Sequence, residues 1–188
     1  MKFNIGGRDM SIRIWDRNPL EDLFIGNKTT CCTAIGALNG LATPIYLLSK
    51  AWNVVELFDA EGNAVGMSRV FIGEIDGEYA IMMDNIELNN TYIKQMSAEE
   101  KTQLRNKFFE YMHKYAEQVT GKKDSKVYFY HTDTCVPTSD LEASEHDVKF
   151  IGKNPTETVY VNASHFRWVN PAEFHEEPSK WFTIPKNS

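Results

Sequence analysis

Two acids stand where a greasy stretch ends. In AIMMDNIELNNTY, residues 80 to 92, Asp84 and Glu87 follow an apolar run and flank Asn85 and Ile86. If the stretch is a strand, alternation puts Ala80, Met82, Asp84, Ile86 and Leu88 on one face and Ile81, Met83, Asn85 and Glu87 on the other. Each face then carries one acid among apolar neighbours. A buried, unpaired carboxylate is costly or takes up a proton. Asp84 and Glu87 are therefore either held for proton transfer or satisfied structurally, as when Asp84 and Asn85 bond main-chain groups at a bulge.

Three cysteines supply the second set of candidates. Cys31 and Cys32 close the run TTCC, residues 29 to 32, and Cys135 lies four residues beyond His131. An activated thiolate with His131 as its base would be a nucleophile. The same four residues would also suit tetrahedral zinc. Adjacent cysteines seldom share one metal, however, and the chain has no C-x-x-C pair. Cysteine is also a common core filler, so the thiols read first as structural and no metal is expected. His113, beside Met112, reads as a boundary residue, and His146, His165 and His175 have no partner pattern. Tyr92 and Tyr130 are candidate proton donors. Ser68 and Arg69, adjacent in GMSRVF, must point to opposite faces of a strand, so at least one leaves the core.

The elements that position these residues follow from period and turn chemistry. NVVELFD reads as a strand, AEGN as a turn, AVGMSRVFIGEI as a second strand, DG as a tight turn and EYAIMMDNIEL as a third. A helix follows: Ser97 and Glu100 are in capping-box register, and Leu104, Phe108, Tyr111, Met112, Tyr115, Ala116 and Val119 recur at helical spacing. Gly121 is suited to close it, and SKVYFYH reads as another strand. Before the meander, Gly36, Gly40 and Pro44 interrupt short apolar stretches, which predicts one or two short helices or a helix and a strand. After residue 131 the chain reads as irregular through TDTCVPTSDLEASEHD, then offers VKFIG and TVYVNASHFRWV as late strands. The expected class is α+β, with a mixed, mostly antiparallel central sheet flanked by helices.

Composition bounds the rest. The 188 residues are 42% hydrophobic and 24% charged, the profile of one compact domain over 1–188, with 170–188 expected as an irregular tail packed on it. No apolar run approaches membrane-spanning length, and the charged opening MKFNIGGRDMSIRIWDRN is unlike a signal peptide. A cytoplasmic protein with no membrane partner is expected, in keeping with the odd cysteine count. The net charge is −6, from 26 acids and 20 bases. Without a lysine or arginine stripe, nucleic acid is not an expected partner, and GKKDSK reads as a solvated turn.

The meander VVELFDAEGNAVGMSRVFIGEIDGEYAIMMDNIEL, its helix and KVYFY together resemble the GNAT superfamily of acyl-CoA-dependent N-acyltransferases. Gly62, Ala64, Val65 and Gly66 fit that family's G-x-x-V/A-G hairpin, and Tyr79 to Leu88 its central strand. The segments LFIGNKTTCCTAIG, VGMSRVFI and DNIEL are similar to a bacterial and phage group of GNAT-like proteins with T-x-C-C and D-N-I-E segments. The resemblance implies a GNAT-like fold, acetyl-CoA as cofactor and transfer to an amine of a small molecule or protein. It further implies Asp84 or Glu87 as general base, a tyrosine as acid, with Tyr130 and Tyr92 the candidates, the cofactor arm at Ile86 and Leu88, and Asn90 and Lys94 near its phosphates. The family's Q/R-x-x-G-x-G/A loop is replaced by NNTYIKQMSAEE, which has no glycine and puts Glu99 and Glu100 in the first helical turn. An atypical pyrophosphate loop is therefore expected. The alternative is a GNAT-fold binding or interaction module that has lost coenzyme A use and engages a protein partner.

Overall fold

β4, twelve residues from Ala64 to Ile75, is the spine of the molecule. Its Val, Phe and Ile content suits a strand covered on both faces. The computed structural model describes residues 1–14, 23–29, 31, 34, 52–123, 125–142, 144–146, 148–150 and 179–183, the last three stretches as backbone alone. Cys32, His165, His175, most of the segment preceding the meander and the expected strand TVYVNASHFRWV lie outside these residues.

Along the chain, β1 (Lys2–Ile5), β2 (Arg8–Ile14) and the short helix α1 (Ile25–Lys28) come before the meander. The meander is β3 (Trp52–Phe58), β4 and β5 (Glu78–Met83). The two-residue strand β6 (Glu87–Leu88) and helices α2 (Asn90–Gln95) and α3 (Ala98–Thr120) follow. Last come β7 (Val127–Tyr130), β8 (Ser144–His146), β9 (Val148–Phe150) and β10 (Ser179–Thr183). The sheet order is β1-β2-β3-β4-β5-β7-β10-β8, with β6 and β9 also paired to β4. All these pairs are antiparallel except β5 with β7, which is parallel because α3 carries the chain back between them. The fold is thus α+β with a mixed, mostly antiparallel sheet, as the pattern predicts.

The turns follow their chemistry. Asp76 and Gly77 both have positive φ, 51° and 83°, the geometry that matches a two-residue hairpin to strand twist. Asp59 accepts the Asn63 N–H at 2.7 Å and closes the β3–β4 turn. At the start of α3, Ser97 Oγ accepts the Glu100 N–H and Glu100 Oε2 accepts the Ser97 N–H. Gly121, at φ 69°, ends the helix and donates to Glu117 O.

α3 covers one face of the sheet. Leu104, Phe108, Phe109, Met112 and Ala116 meet Ile12, Val55, Leu57, Val70, Ile81, Met83 and Phe129 in the main core. The buried stripe is rotated from the expected one: Phe109 and Arg105 turn inward, while Val119 is half exposed. Arg105 is tolerated there because it donates to Asp140 Oδ1 at 2.5 Å and Oδ2 at 3.0 Å and to Pro137 O at 2.8 Å. The opposite sheet face holds two smaller clusters. Trp52 stacks on Phe71 at 4.5 Å beside Ile75, Ala80, Met82 and Tyr128. Ile25, Cys31, Val54 and Met67 form the other.

Two expectations change. The stretch 170–188, read as irregular, contains β10, whose Trp181, Phe182 and Thr183 pair with Tyr130, Phe129 and Tyr128 of β7. Aromatic and β-branched side chains at that point favour an added strand over an irregular tail. The run 132–147, also read as irregular, ends in β8, which pairs with β10.

Candidate active site

The third strand of the meander does not run straight to Leu88. Val70 opposes Met83, yet Met67 opposes Glu87. Three residues, 84 to 86, therefore face two, 68 and 69, which is a β-bulge. Asp84 N–H still reaches Arg69 O at 2.9 Å, and Ser68 Oγ donates to Asp84 O at 2.9 Å.

The extra residue reverses the alternation expected beyond Met83. Ile86 and Leu88 join Ile81 and Met83 in the core beneath α3, not the face of Ala80 and Met82. Glu87, opposite Met67, lies on the other face with Arg69 and Cys31. The bulge thereby brings Asp84 and Glu87 onto a common side. At the same point the neighbouring ladder ends: β7 pairs with β5 only as far as Phe129 opposite Met83. Beyond it β6 pairs with β4, and Tyr130 pairs with Trp181. The strands part where the acids sit.

A continuous polar chain lines this parting. Arg69 Nη2 donates to Cys31 Sγ at 3.5 Å, and Arg69 Nη1 stands 3.6 Å from Asp84 Oδ2. Asp84 Oδ1 accepts the Asn85 N–H at 2.8 Å. Asn85 Nδ2 donates to Glu87 Oε1 at 2.6 Å and to Thr134 Oγ1 at 3.3 Å. Cys135 Sγ donates to Glu87 Oε2 at 3.2 Å, and the same sulfur receives the Leu88 N–H. Asn89 N–H goes to Val65 O, so the preceding amide, Leu88, faces away from β4 into the parting.

Burial raises the Glu87 pKa, and Cys31 pushes the same way; the Cys135 and Asn85 hydrogen bonds pull it back, and Asp84 adds a further upward push. Burial and then Asp84 raise the Tyr130 phenol, which keeps it a proton donor. Burial, with the Glu87 charge next, pushes the Cys135 thiol up to about 11. A thiol held protonated is a poor nucleophile.

The other expected residues fall as follows. Ile86 and Leu88 are buried, 2% and 0% exposed, so only their main chain can meet a ligand. Asn90 and Lys94 are exposed on α2, one turn apart. The segment read as a loop holds this short helix, capped by Asn89 Oδ1 on Tyr92 N–H. Tyr92 packs on the core beneath α3. The start of α3 is occupied by its own chain: Glu100 Oε1 takes Arg8 Nη1 at 2.8 Å, Arg8 Nη2 donates to Gln95 O, and the bonds with Ser97 and Arg8 lower the Glu100 pKa. His113 lies edge-on to Phe129 at the core boundary. Among the described residues no group of three or more His, Cys, Asp and Glu is arranged to hold a metal. No described helix is long and apolar enough to cross a membrane.

Sequence reasoning pointed to Asp84, Glu87 and Tyr130 but missed the partners of Glu87. Cys135 lies 48 residues from Glu87, and Thr134, which accepts from Asn85, lies 49 residues from it. No local spacing signals such a contact.

No family model and no curated protein matches the chain. Among solved structures it is similar to AtaTR bound with AcCoA, at 10% identity over 93% of each chain with a TM-score of 0.48. It is also similar to a bacterial toxin, at 12% identity over 72% of this chain and 81% of that one, with a TM-score of 0.46. A third is a spermidine N-acetyltransferase SpeG chimera from Vibrio cholerae and hSSAT, at 15% identity over 66% and 71% with a TM-score of 0.39.

Proposed function

We propose that the chain is an acyl-CoA-dependent N-acyltransferase that acetylates an amine of a small molecule or protein. One observation carries the reading: a half-buried Glu87 with a raised pKa stands at a bulge where two strands part. Such a carboxylate is poised to take a proton from an attacking amine. Asp84, held by Arg69, orients Asn85 and through it Glu87, and serves as the second candidate base. Tyr130, kept as a neutral phenol beside Asp84, would return a proton to a departing thiolate.

Acetyl-CoA would supply the acyl thioester. Its pantetheine arm would lie in the parting against the main chain of Ile86 and Leu88, whose side chains are buried, the Leu88 N–H itself being taken by Cys135 Sγ. The usual phosphate site does not fit: the first turn of α3 is closed by Ser97, Glu100 and Arg8, and its carboxylate repels anions. Lys94 and Asn90, exposed on α2, would take the phosphates instead, an atypical pyrophosphate site.

Calorimetry with acetyl-CoA, followed by thiol release across a panel of amines, tests this reading. Saturable binding and amine-dependent release that Glu87→Gln lowers by about 10²- to 10⁴-fold support it. No binding at millimolar acetyl-CoA sinks it. The closed start of α3 favours one other reading, a binding module without cofactor. That reading requires a stable protein partner in pulldown and no acetyl-CoA binding.

A further inference from the structure

We propose that Cys135 is a positioning residue for Glu87, its thiol holding one carboxylate oxygen while Asn85 holds the other. The inference rests on Glu87 acting as the base proposed above.

Three features converge on it. The carboxylate is gripped at both oxygens, by Asn85 Nδ2 at 2.6 Å on Oε1 and by Cys135 Sγ at 3.2 Å on Oε2. A two-point grip fixes the plane of a carboxylate, which a single bond leaves free to turn. The Leu88 N–H, one residue beyond Glu87, points at the same sulfur. With that acceptor role filled, the S–H is left to donate to Oε2.

Third, Cys135 has φ 44°. This left-handed conformation is disfavoured for any residue with a β-carbon and persists only where the surroundings impose it. Here the loop imposes it. Thr138 N–H donates to Thr132 O, Thr132 N–H donates to Thr138 Oγ1, and Arg105 clamps Pro137 O and Asp140. Glycine would meet the backbone demand at less strain. The chain keeps a thiol where it reaches the carboxylate.

The titratable and charged groups around Glu87 come from several elements. They are Asp84 of the bulge, Arg69 of β4, Cys31 beyond α1 and Cys135 of the loop. Glu56 of β3 shares the face beyond Met67, and Tyr130 of β7 stands near Asp84. Of these, Cys135 is the one bonded to Oε2. It favours the ionised carboxylate, so removing it moves Glu87 toward the protonated acid.

The test is a carbon-detected NMR titration of the Glu87 carboxyl, assigned with Glu87→Gln, in the wild type, Cys135→Ser and Cys135→Ala. Cys135→Ala is expected to move the midpoint upward by roughly half a pH unit or more, with Cys135→Ser close to wild type. A midpoint unchanged or lowered in Cys135→Ala overturns the proposal. Should Cys135→Ala fail to fold, the infrared S–H stretch of the wild type decides. A shift to lower frequency as Glu87 ionises supports the bond, and an indifferent band refutes it. In an active enzyme the acid limb of kcat/KM moves with the same midpoint. Failure of acetyl-CoA binding defeats the acyltransferase reading by itself, whereas the titration judges the Cys135 contact either way.

Discussion

At Glu87 the burial that suits a base also burdens the fold. Its folded pKa is raised, so the folded chain holds the proton more tightly than the unfolded one. Ionising it therefore costs stability above the folded pKa, and that cost disappears as the pH falls below the ordinary carboxylate range. Glu87→Gln is expected to raise the melting temperature at neutral pH, with no gain in acid, while lowering acylation by about 10²- to 10⁴-fold. Melts at the two pH values and steady-state rates check both parts. Asp140 has the opposite sign. Arg105 lowers its pKa, so its contribution is present above the ordinary Asp value and lost as pH falls through the lowered one. Asp140→Asn should cost about 1 kcal/mol in denaturant unfolding at neutral pH, a screened value because Asp140 is exposed, and less in acid.

Among the elements, the β4–β6 contact is the most exacting. A β-carbon on Gly66 would meet Leu88 Cδ2 at 2.8 Å and Glu87 O at 3.0 Å. Gly66→Ala should therefore push β6 from β4, destabilise by about 2 kcal/mol in denaturant unfolding, and weaken any activity through Glu87. The sequence makes the meander, its turns and the capping box legible because those signals are local: β4 spans the very stretch AVGMSRVFIGEI, and Asp76-Gly77 turns as its residues require. The bulge is only one of the readings that Asp84 and Asn85 allow in the sequence, and its effect on the faces is not legible there. One inserted residue leaves the composition of AIMMDNIEL unchanged yet moves Ile86, Glu87 and Leu88 to opposite sides. The burial of Arg105 is not legible for a related reason, since a cation inside an apolar helix stripe is explained only by Asp140 and Pro137, more than thirty residues away.

For the molecule as a whole, one topological fact places the site. α3 returns the chain so that β7 lies parallel to β5, and the two strands separate where the bulge begins. The order of three antiparallel strands, a helix and a strand could be read from periodicity, and so could the two acids. The closure of the site by Thr134 and Cys135 could not, because it depends on how the loop after β7 folds back. The net charge of −6 and the self-capped start of α3 give little electrostatic help to a polyanionic cofactor, so acetyl-CoA affinity should weaken little with added salt. The most direct test of the account is amide NMR of the wild-type chain titrated with acetyl-CoA. Saturable shifts centred on residues 84–88 and 130–135 are predicted. Absence of shifts at millimolar acetyl-CoA, or shifts confined to other surfaces, would contradict it.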